Sequence, residues 1–190
     1  NALDRVFAVF FLLLLSPMIA AISVMILLFE GRPIIFRQIR TGRKGIRFSL
    51  VKFRTMHLVG ENHGADGALE VTKLGRLLRR SSLDEIPSLW NILRGEMSFV
   101  GPRPLLPEYL DIYTAEESRR HEVLPGLTGL AQVGGRNLLS WQQRFELDVL
   151  YVDSYNWFLD LRILIRTIWA VLGGTGVDQS DGSHMSRLDS

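Results

Sequence analysis

The 190-residue sequence contains no cysteine, which excludes disulfide scaffolds, thiol catalysis and zinc sites built on cysteine. It also lacks the P-loop signature GxxxxGK[ST], the dinucleotide fingerprint GxGxxG and the zinc-protease motif HExxH. The four histidines show no spacing typical of metal ligands. The formal net charge is only +2, with 22 Lys and Arg against 20 Asp and Glu, so we expect no nucleic-acid partner.

Apolar residues are abundant and concentrated near the start of the sequence. They make up 47% of the chain, and a mean hydropathy of +0.14 does not suit a disordered protein. Residues 6–29 include no charged side chain. A helix of this length would extend about 36 Å, which is enough to cross the apolar core of a bilayer.

Ser16-Pro17 lies near the middle of this apolar run. Proline removes a backbone hydrogen bond, and a preceding serine can bond to a carbonyl freed in this way. Arg5 precedes the run and a stronger basic cluster follows it, and positive charge favours the cytoplasmic side of a membrane. Two interpretations follow: a kinked transmembrane helix, or a re-entrant helix that bends at Ser16-Pro17 and returns to the same side.

Residues 31–60 are basic and contain no acid. Residues 34–39 and 46–53 resemble strands around a glycine-containing turn, which predicts a basic β-hairpin. Such a surface suits anionic lipid headgroups or phosphorylated substrates, although a solvated hairpin or a simple topology signal would have the same composition. The basic residues are Arg32, Arg37, Arg40, Arg43, Lys44, Arg47, Lys52 and Arg54.

Capping signals and apolar spacing predict several helices in the rest of the chain. Thr72 caps one of them, and Ser140 with Gln143 forms a capping box that begins another, ending near residue 152. Further helices are expected over residues 87–93, 116–122 and 156–172, and loops over residues 61–70 and 125–137. The helix over 156–172 has a broad apolar stripe with tryptophans, which suits either a membrane interface or a protein core.

Adjacent carboxylates occur at Asp84 and Glu85. Such a pair suits acid–base chemistry or a divalent cation, because Mg²⁺ prefers oxygen ligands together with phosphate. A structural alternative is a capping box from Ser82 to Glu85, with both acids in the first turn of a helix.

Three arginines are placed where they would suit phosphate recognition. Arg79 precedes the acids, Arg103 lies between two prolines, and Arg136 lies in a glycine-rich stretch. Arginine matches phosphate geometry with two parallel donors, although each one alone is more often a surface residue. Together with paired acids they suggest phosphoryl transfer, in which a metal and arginines stabilise charge while a nucleophile attacks.

Four motifs occur in an order that resembles one protein family. They are KFRTM at 52–56, SLDEIP at 82–87, GPRP at 101–104 and PGLTGLAQV at 125–133. This ensemble resembles the bacterial sugar transferases, the monotopic phosphoglycosyl transferases, over about residues 3–176.

The resemblance implies a mainly helical α+β fold in three parts. Residues 1–30 would form a re-entrant membrane helix broken at Ser16-Pro17. Residues 31–176 would form an interfacial catalytic domain with amphipathic helices, on the cytoplasmic face of the bacterial inner membrane. Residues 177–190 would be a tail, in which GSHM at 182–185 resembles a cloning remnant.

The resemblance also implies a reaction and its residues. Sugar-1-phosphate would pass from a UDP-sugar to polyprenol (undecaprenyl) phosphate in one membrane leaflet, with release of UMP, to initiate membrane glycan assembly. Asp84 would be the nucleophile of a covalent phosphosugar intermediate, Glu85 would support it, and both would bind the required Mg²⁺. The expected substrate-binding residues are Lys52, Arg79, Arg103, Gln132 and Arg136.

The residues leave other points open. An N-acetylated UDP-sugar is expected only from similarity to short family members, and a homo-oligomer is possible. A membrane-anchored adaptor for anionic lipid or protein would share the basic run and the apolar stripes. A metal-dependent lipid phosphatase is a third hypothesis, and it would release inorganic phosphate instead of UMP.

Overall fold

The computed structural model describes residues 2–58, 69–135 and 139–173. The described residues form a mainly helical fold with three two-stranded β-sheets, which confirms the mixed helical and β-hairpin class. Most of the loop expected over 61–70, and all of the tail expected over 177–190, lie outside the described residues.

Helices α1 (Ala2–Leu14) and α2 (Ser16–Phe29) meet at an angle of 61°. Pro17 lies in the first turn of α2 and has no amide to offer the Leu13 carbonyl. The Ser16 hydroxyl donates to that carbonyl instead, at 2.8 Å. The expectation that Ser16 satisfies a carbonyl freed by Pro17 is therefore confirmed.

The bent pair is the candidate membrane segment. No single described helix combines the length and apolar character needed to cross a bilayer, but α1 and α2 meet those criteria when taken together. Both helices leave large apolar side chains exposed, at Leu3, Val6, Phe7, Val9, Phe10, Leu13, Leu14, Val24, Met25, Leu27, Leu28 and Phe29.

Strands β1 (Ile35–Thr41) and β2 (Arg47–Phe53) form the predicted antiparallel hairpin. Four of its basic side chains make contacts within the protein, at Arg40, Arg43, Lys52 and Arg54. The others are exposed, at Arg32, Arg37, Lys44 and Arg47. The basic side chains of this hairpin therefore have two roles: some form contacts within the protein, and the exposed ones remain free to face solvent or lipid.

Arg54 and Thr72 connect the end of α2 to the next helix. The Arg54 guanidinium donates to the carbonyl oxygens of Glu30, Gly31 and Arg32, where α2 ends. The Thr72 hydroxyl donates to the Glu30 carboxylate. These bonds join the end of α2, Arg54 and Thr72. They therefore fix the candidate membrane segment relative to the helix that follows Thr72.

Strands β3 (Met56–Leu58) and β4 (Leu69–Val71) pair antiparallel ahead of helix α3 (Lys73–Arg80). The Thr72 hydroxyl accepts from the Gly75 amide at 2.7 Å, which confirms the predicted cap. A Cβ atom at Gly75 would lie 2.1 Å from the Thr55 carbonyl oxygen, so only glycine lets α3 approach the backbone there.

Buried polar side chains take the place of a third strand along β2. The Ser88 hydroxyl donates to the Val51 carbonyl at 2.7 Å. Asn91 accepts from the Val51 amide at 3.0 Å and donates to the Ser49 carbonyl at 2.7 Å. Ser88 and Asn91 are almost completely buried, so these bonds fix helix α4 (Leu89–Arg94) and the residues before it on the hairpin.

Residues 125–137, predicted to be a loop, contain regular structure, so that prediction is wrong. Strand β5 (Ser98–Val100) pairs in parallel with β6 (Gly126–Thr128). The short helix α5 (Ala115–Ser118) precedes β6, and α6 (Leu130–Gly134) follows it. A Cβ atom at Gly126 would lie 2.1 Å from the Gly101 amide nitrogen, so this glycine permits close backbone packing and is not a loop signal.

The last two helices match their predictions closely. The capping box of Ser140 and Gln143 begins α7 (Trp141–Ser154), and Asn156 caps α8 (Trp157–Leu172). Most of the apolar stripe on α8 is exposed, at Trp157, Leu161, Ile165, Ile168, Trp169 and Leu172. This exposure argues against the core-helix interpretation.

Apolar side chains on both sides of the acidic pair pack into the core. Leu83 packs against the cluster formed by α2, Phe53 and Leu78, and Ile86 packs against a second cluster formed by α1, the hairpin and α4. Asp84 and Glu85 lie between these two anchors. The core therefore positions the pair from both sides.

Candidate active site

The acidic pair lies on a short 3₁₀ helix, Leu83–Ser88, between α3 and α4. Ser82 precedes it with φ of 57°, which is not the extended conformation that an N-cap requires. Its side chain makes no capping hydrogen bond among the described residues, so the predicted Ser82 capping box is wrong. The turn at Ser82 instead redirects the chain from α3 into the 3₁₀ helix.

Consecutive side chains on a 3₁₀ helix diverge by about 120° because it has three residues per turn. Glu85 turns towards two cations. The Lys52 ammonium lies 2.5 Å and the Arg103 guanidinium 2.8 Å from the same Glu85 oxygen, Oε1. The predicted residues Lys52, Glu85 and Arg103 thus meet at one point, although they come from β2, the 3₁₀ helix and the GPRP segment.

The charge state of Glu85 follows from these contacts. Burial alone would raise the pKa of Glu85, but Arg103 and Lys52 outweigh it and hold that pKa at about 2. Glu85 in turn raises the pKa of Arg103. Glu85 is therefore a fixed anion with both positive partners in place.

Asp84, unlike Glu85, forms no ion pair within the described part of the chain. It is buried, and no described residue donates a hydrogen bond to its carboxylate. Burial and the neighbouring Glu85 charge raise the pKa of Asp84, while Lys52, Arg103 and Arg79 act in the other direction. The two adjacent carboxylates thus differ in environment: Glu85 is paired with two cations, and Asp84 receives no hydrogen bond from the described residues. Such a difference is typical of acid pairs with distinct roles.

Arg79 approaches Asp84 from the end of α3. Its Nε donates to the Thr55 hydroxyl at 2.9 Å, which fixes the guanidinium beside the 3₁₀ helix.

Beside Glu85 lies a cleft with Leu50, Met97 and Leu127 at its apolar wall. The charged groups of this cleft are Arg40, Lys52, Glu85 and Arg103.

The backbone that carries Arg103 is fixed at four successive carbonyls. Each of them accepts a hydrogen bond from a different residue. The Pro102 carbonyl accepts from the Gly126 amide at 2.9 Å, Arg103 from Arg120 at 2.8 Å, Pro104 from Arg40 at 3.4 Å and Leu105 from the Thr41 amide at 2.9 Å. The GPRP segment therefore holds Arg103 in place with little freedom.

Arg120 and Asp148 form a buried ion pair that sequence reasoning missed. Their side chains are 2% and 4% exposed, and the Arg120 Nη2–Asp148 Oδ2 distance is 2.6 Å. Burial raises the pKa of Asp148, and Arg120 opposes that shift. A signal was available, because Asp148 lies on the apolar stripe of α7 with Phe145 and Val152.

The structure does not place the last two predicted substrate-binding residues, Gln132 and Arg136, in the cleft beside Glu85. Gln132 lies on α6 with its Oε1 close to Gly129, and it does not line the cleft among the described residues. Arg136 lies outside the described residues.

The donor set suits a divalent cation only in combination with substrate. Among residues 2–58, 69–135 and 139–173 there is no group of three or more metal-ligating side chains. Asp84 and Glu85 supply carboxylate oxygens, and Lys52 and Arg103 already occupy one oxygen of Glu85. This arrangement fits Mg²⁺, which binds one or two carboxylates together with substrate phosphates and water.

Comparison with known proteins identifies the family. Residues 1–174 match the family model described as bacterial sugar transferase. The chain belongs to this family. The protein is therefore a phosphoglycosyl transferase.

Three relatives illustrate the match. The chain is 46% identical to the uncharacterized sugar transferase EpsL of Bacillus subtilis, covering 97% of this chain and 93% of that protein. It is 39% identical to a UDP-glucose:undecaprenyl-phosphate glucose-1-phosphate transferase of Caulobacter vibrioides, covering 90% and 69%. It is 35% identical to a UDP-N-acetylgalactosamine-undecaprenyl-phosphate N-acetylgalactosaminephosphotransferase of Aeromonas hydrophila, covering 93% of this chain and 44% of that protein.

We predict that the Arg120–Asp148 pair stabilises this sugar transferase far more than its exposed neighbour does. Asp148→Ala leaves Arg120 charged and buried, which should lower the free energy of unfolding by about 3–5 kcal/mol. The matched control is Asp153→Ala. Asp153 lies on α7 like Asp148, and it forms an exposed ion pair with Arg119, the neighbour of Arg120, so its loss should have a much smaller effect. Thermal denaturation in detergent measures both, and equal effects would contradict the prediction.

Proposed function

We propose that this enzyme transfers a sugar-1-phosphate from a UDP-sugar to polyprenol phosphate and releases UMP. The observation that carries the proposal is the difference between the two acids: Glu85 is ion-paired with Lys52 and Arg103, whereas the buried Asp84 has no ion pair among the described residues and a raised pKa. The names of the Caulobacter and Aeromonas relatives support this substrate class.

Asp84 is the nucleophile in this proposal. One of its carboxylate oxygens attacks the β-phosphorus of the UDP-sugar, and the bond from that phosphorus to the oxygen bridging the two phosphates breaks. The electron pair leaves with UMP, and the sugar phosphate remains on Asp84 as an acyl phosphate. An oxygen of polyprenol phosphate then attacks the same phosphorus and releases the Asp84 carboxylate, giving a polyprenyl-diphosphate-linked sugar.

The cations make this attack of one anion on another feasible. Arg79, Lys52 and Arg103 all lower the energy of negative charge near Asp84. Glu85 keeps Lys52 and Arg103 in position before substrate arrives. When bound, Mg²⁺ would supply further neutralisation of phosphate charge.

The membrane is the place where the two substrates meet. Polyprenol phosphate lies in a bilayer leaflet, and the apolar side chains exposed on α1, α2 and α8 suit contact with that leaflet. We propose that α1 and α2 form a re-entrant segment with both ends on the cytoplasmic side of the inner membrane, where nucleotide sugars are made. The product would be the first lipid-linked intermediate of a membrane glycan.

The reaction itself is the first test, and Asp84→Asn is its decisive variant. The purified protein with undecaprenyl phosphate should release UMP from one or more members of a panel of UDP-glucose, UDP-galactose and their 2-acetamido analogues. EDTA should suppress the release, and Asp84→Asn should reduce it by about 10³-fold or more. Inorganic phosphate as the product would support a phosphatase, and no UMP with any sugar would contradict the proposal.

The same variant has a second readout that separates chemistry from folding. Because the folded-state pKa of Asp84 is raised, its ionised form destabilises the folded protein at neutral pH. Asp84→Asn should therefore raise the melting temperature at neutral pH. The gain should vanish below the ordinary aspartate pKa, where the carboxyl is protonated in both states. Asp111→Asn, an exposed substitution of the same kind, should change neither activity nor melting temperature.

The topology of the bent pair gives an independent prediction. Ser16→Ala with Pro17→Leu restores a continuous helix of about 36 Å, long enough to span the bilayer. A single cysteine at position 2 should then become reactive to a membrane-impermeant maleimide from outside spheroplasts, whereas with the native Ser16-Pro17 break it should not. Ser23→Ala removes another serine-to-carbonyl bond away from the break, and it should leave the topology unchanged. Labelling of the native break from outside would contradict the re-entrant proposal.

A further inference from the structure

Arg40 is a third cation in the cleft beside Glu85, and neither the family motifs nor the proposed mechanism uses it. It lies on β1, and its side chain lines the cleft together with Lys52 and Arg103. Successive residues of a strand point to opposite faces, so Arg40 faces away from the exposed Arg37 on the same strand.

The contacts of Arg40 leave its charge uncompensated. Nη2 donates to the Gln38 side-chain oxygen at 2.6 Å, and Nη1 donates to the Pro104 carbonyl at 3.4 Å. Nε is buried and has no acceptor among the described residues. No carboxylate of the described chain lies within 4.0 Å of the guanidinium, so both of its acceptors are neutral.

The cleft therefore has an excess of positive charge. Lys52 and Arg103 share Glu85, which leaves Arg40 without a carboxylate of its own. Burial and repulsion from Arg103 lower the pKa of Arg40 to about 10, against the weaker attraction of Tyr109, Glu85 and Glu108. Arg40 is still charged at neutral pH, and a charge held in this way is costly until an anion joins it.

We propose that Arg40 binds a phosphate group of a substrate in this cleft, which it lines together with the Lys52–Glu85–Arg103 cluster. The inference rests on the proposed function for the identity of the substrates, but the phosphate contact follows from the charge and the lining of the cleft. Guanidinium donors are suited to phosphate oxygens. The phosphate belongs either to the nucleotide or to the lipid, and separate binding measurements distinguish the two.

Binding of two phosphate compounds tests the proposal without requiring turnover. Calorimetry measures the Kd of UMP and of a short, water-soluble prenyl phosphate for the detergent-solubilised protein and its variants. Arg40→Gln should raise the Kd of one of the two compounds by about tenfold or more. The matched control Arg37→Gln removes the same charge from the opposite face of the strand and should change either Kd by less than about twofold.

A second variant separates charge from hydrogen bonding. Gln38→Ala removes the side-chain acceptor of Arg40 but keeps the cation, so binding should stay close to that of the unaltered protein. If Arg40→Gln does not fold, Arg40→Met replaces it: it removes the charge but keeps an apolar stem of similar length, and it should raise the same Kd by about tenfold or more. Equal weakening by Gln38→Ala and Arg40→Gln, unchanged binding in Arg40→Gln, or no binding of either compound by the unaltered protein would overturn the proposal.

Discussion

The ion cluster of Lys52, Glu85 and Arg103 is the interaction on which the candidate active site depends. It joins β2, the 3₁₀ helix and the GPRP segment at a single carboxylate oxygen. Both cations are thereby placed near Asp84, which has no hydrogen-bond donor of its own among the described residues. One acid of the pair thus holds the two cations in place, and in the proposed mechanism the other is the nucleophile.

Maintaining this arrangement requires support from the rest of the fold. Ser88 and Asn91 fix the 3₁₀ helix and α4 on β2, and Arg120 donates a hydrogen bond to the Arg103 carbonyl. The same arrangement also lowers the stability of the folded protein, because Ser82 adopts a left-handed backbone conformation and the acidic side chains of Asp84 and Asp148 are buried. Enzymes commonly accept such costs at their active sites, where a more stable arrangement would be less reactive.

Local features were predictable from the sequence, and long-range contacts were not. The hairpin, the caps at Thr72 and Ser140, and the bond from Ser16 to the Leu13 carbonyl all follow from short-range spacing. The resemblance in motif order also assigns Lys52, Glu85 and Arg103 to one site. The Ser82 capping box was wrong because the contacts of Glu85 with two distant cations outweigh a local cap. The β5–β6 pairing was missed because its glycines look like loop residues when the chain packed against them is unknown.

Intact-mass spectrometry of the enzyme tests the central claim, that Asp84 is the reactive carboxylate and Glu85 its compensated neighbour. The protein would be mixed with the UDP-sugar that it turns over, in the absence of polyprenol phosphate, quenched and mapped by peptide fragmentation. We expect a mass increase of one sugar phosphate on Asp84, lost again when polyprenol phosphate is added. An adduct on Glu85, or none under conditions that support transfer, would contradict the account.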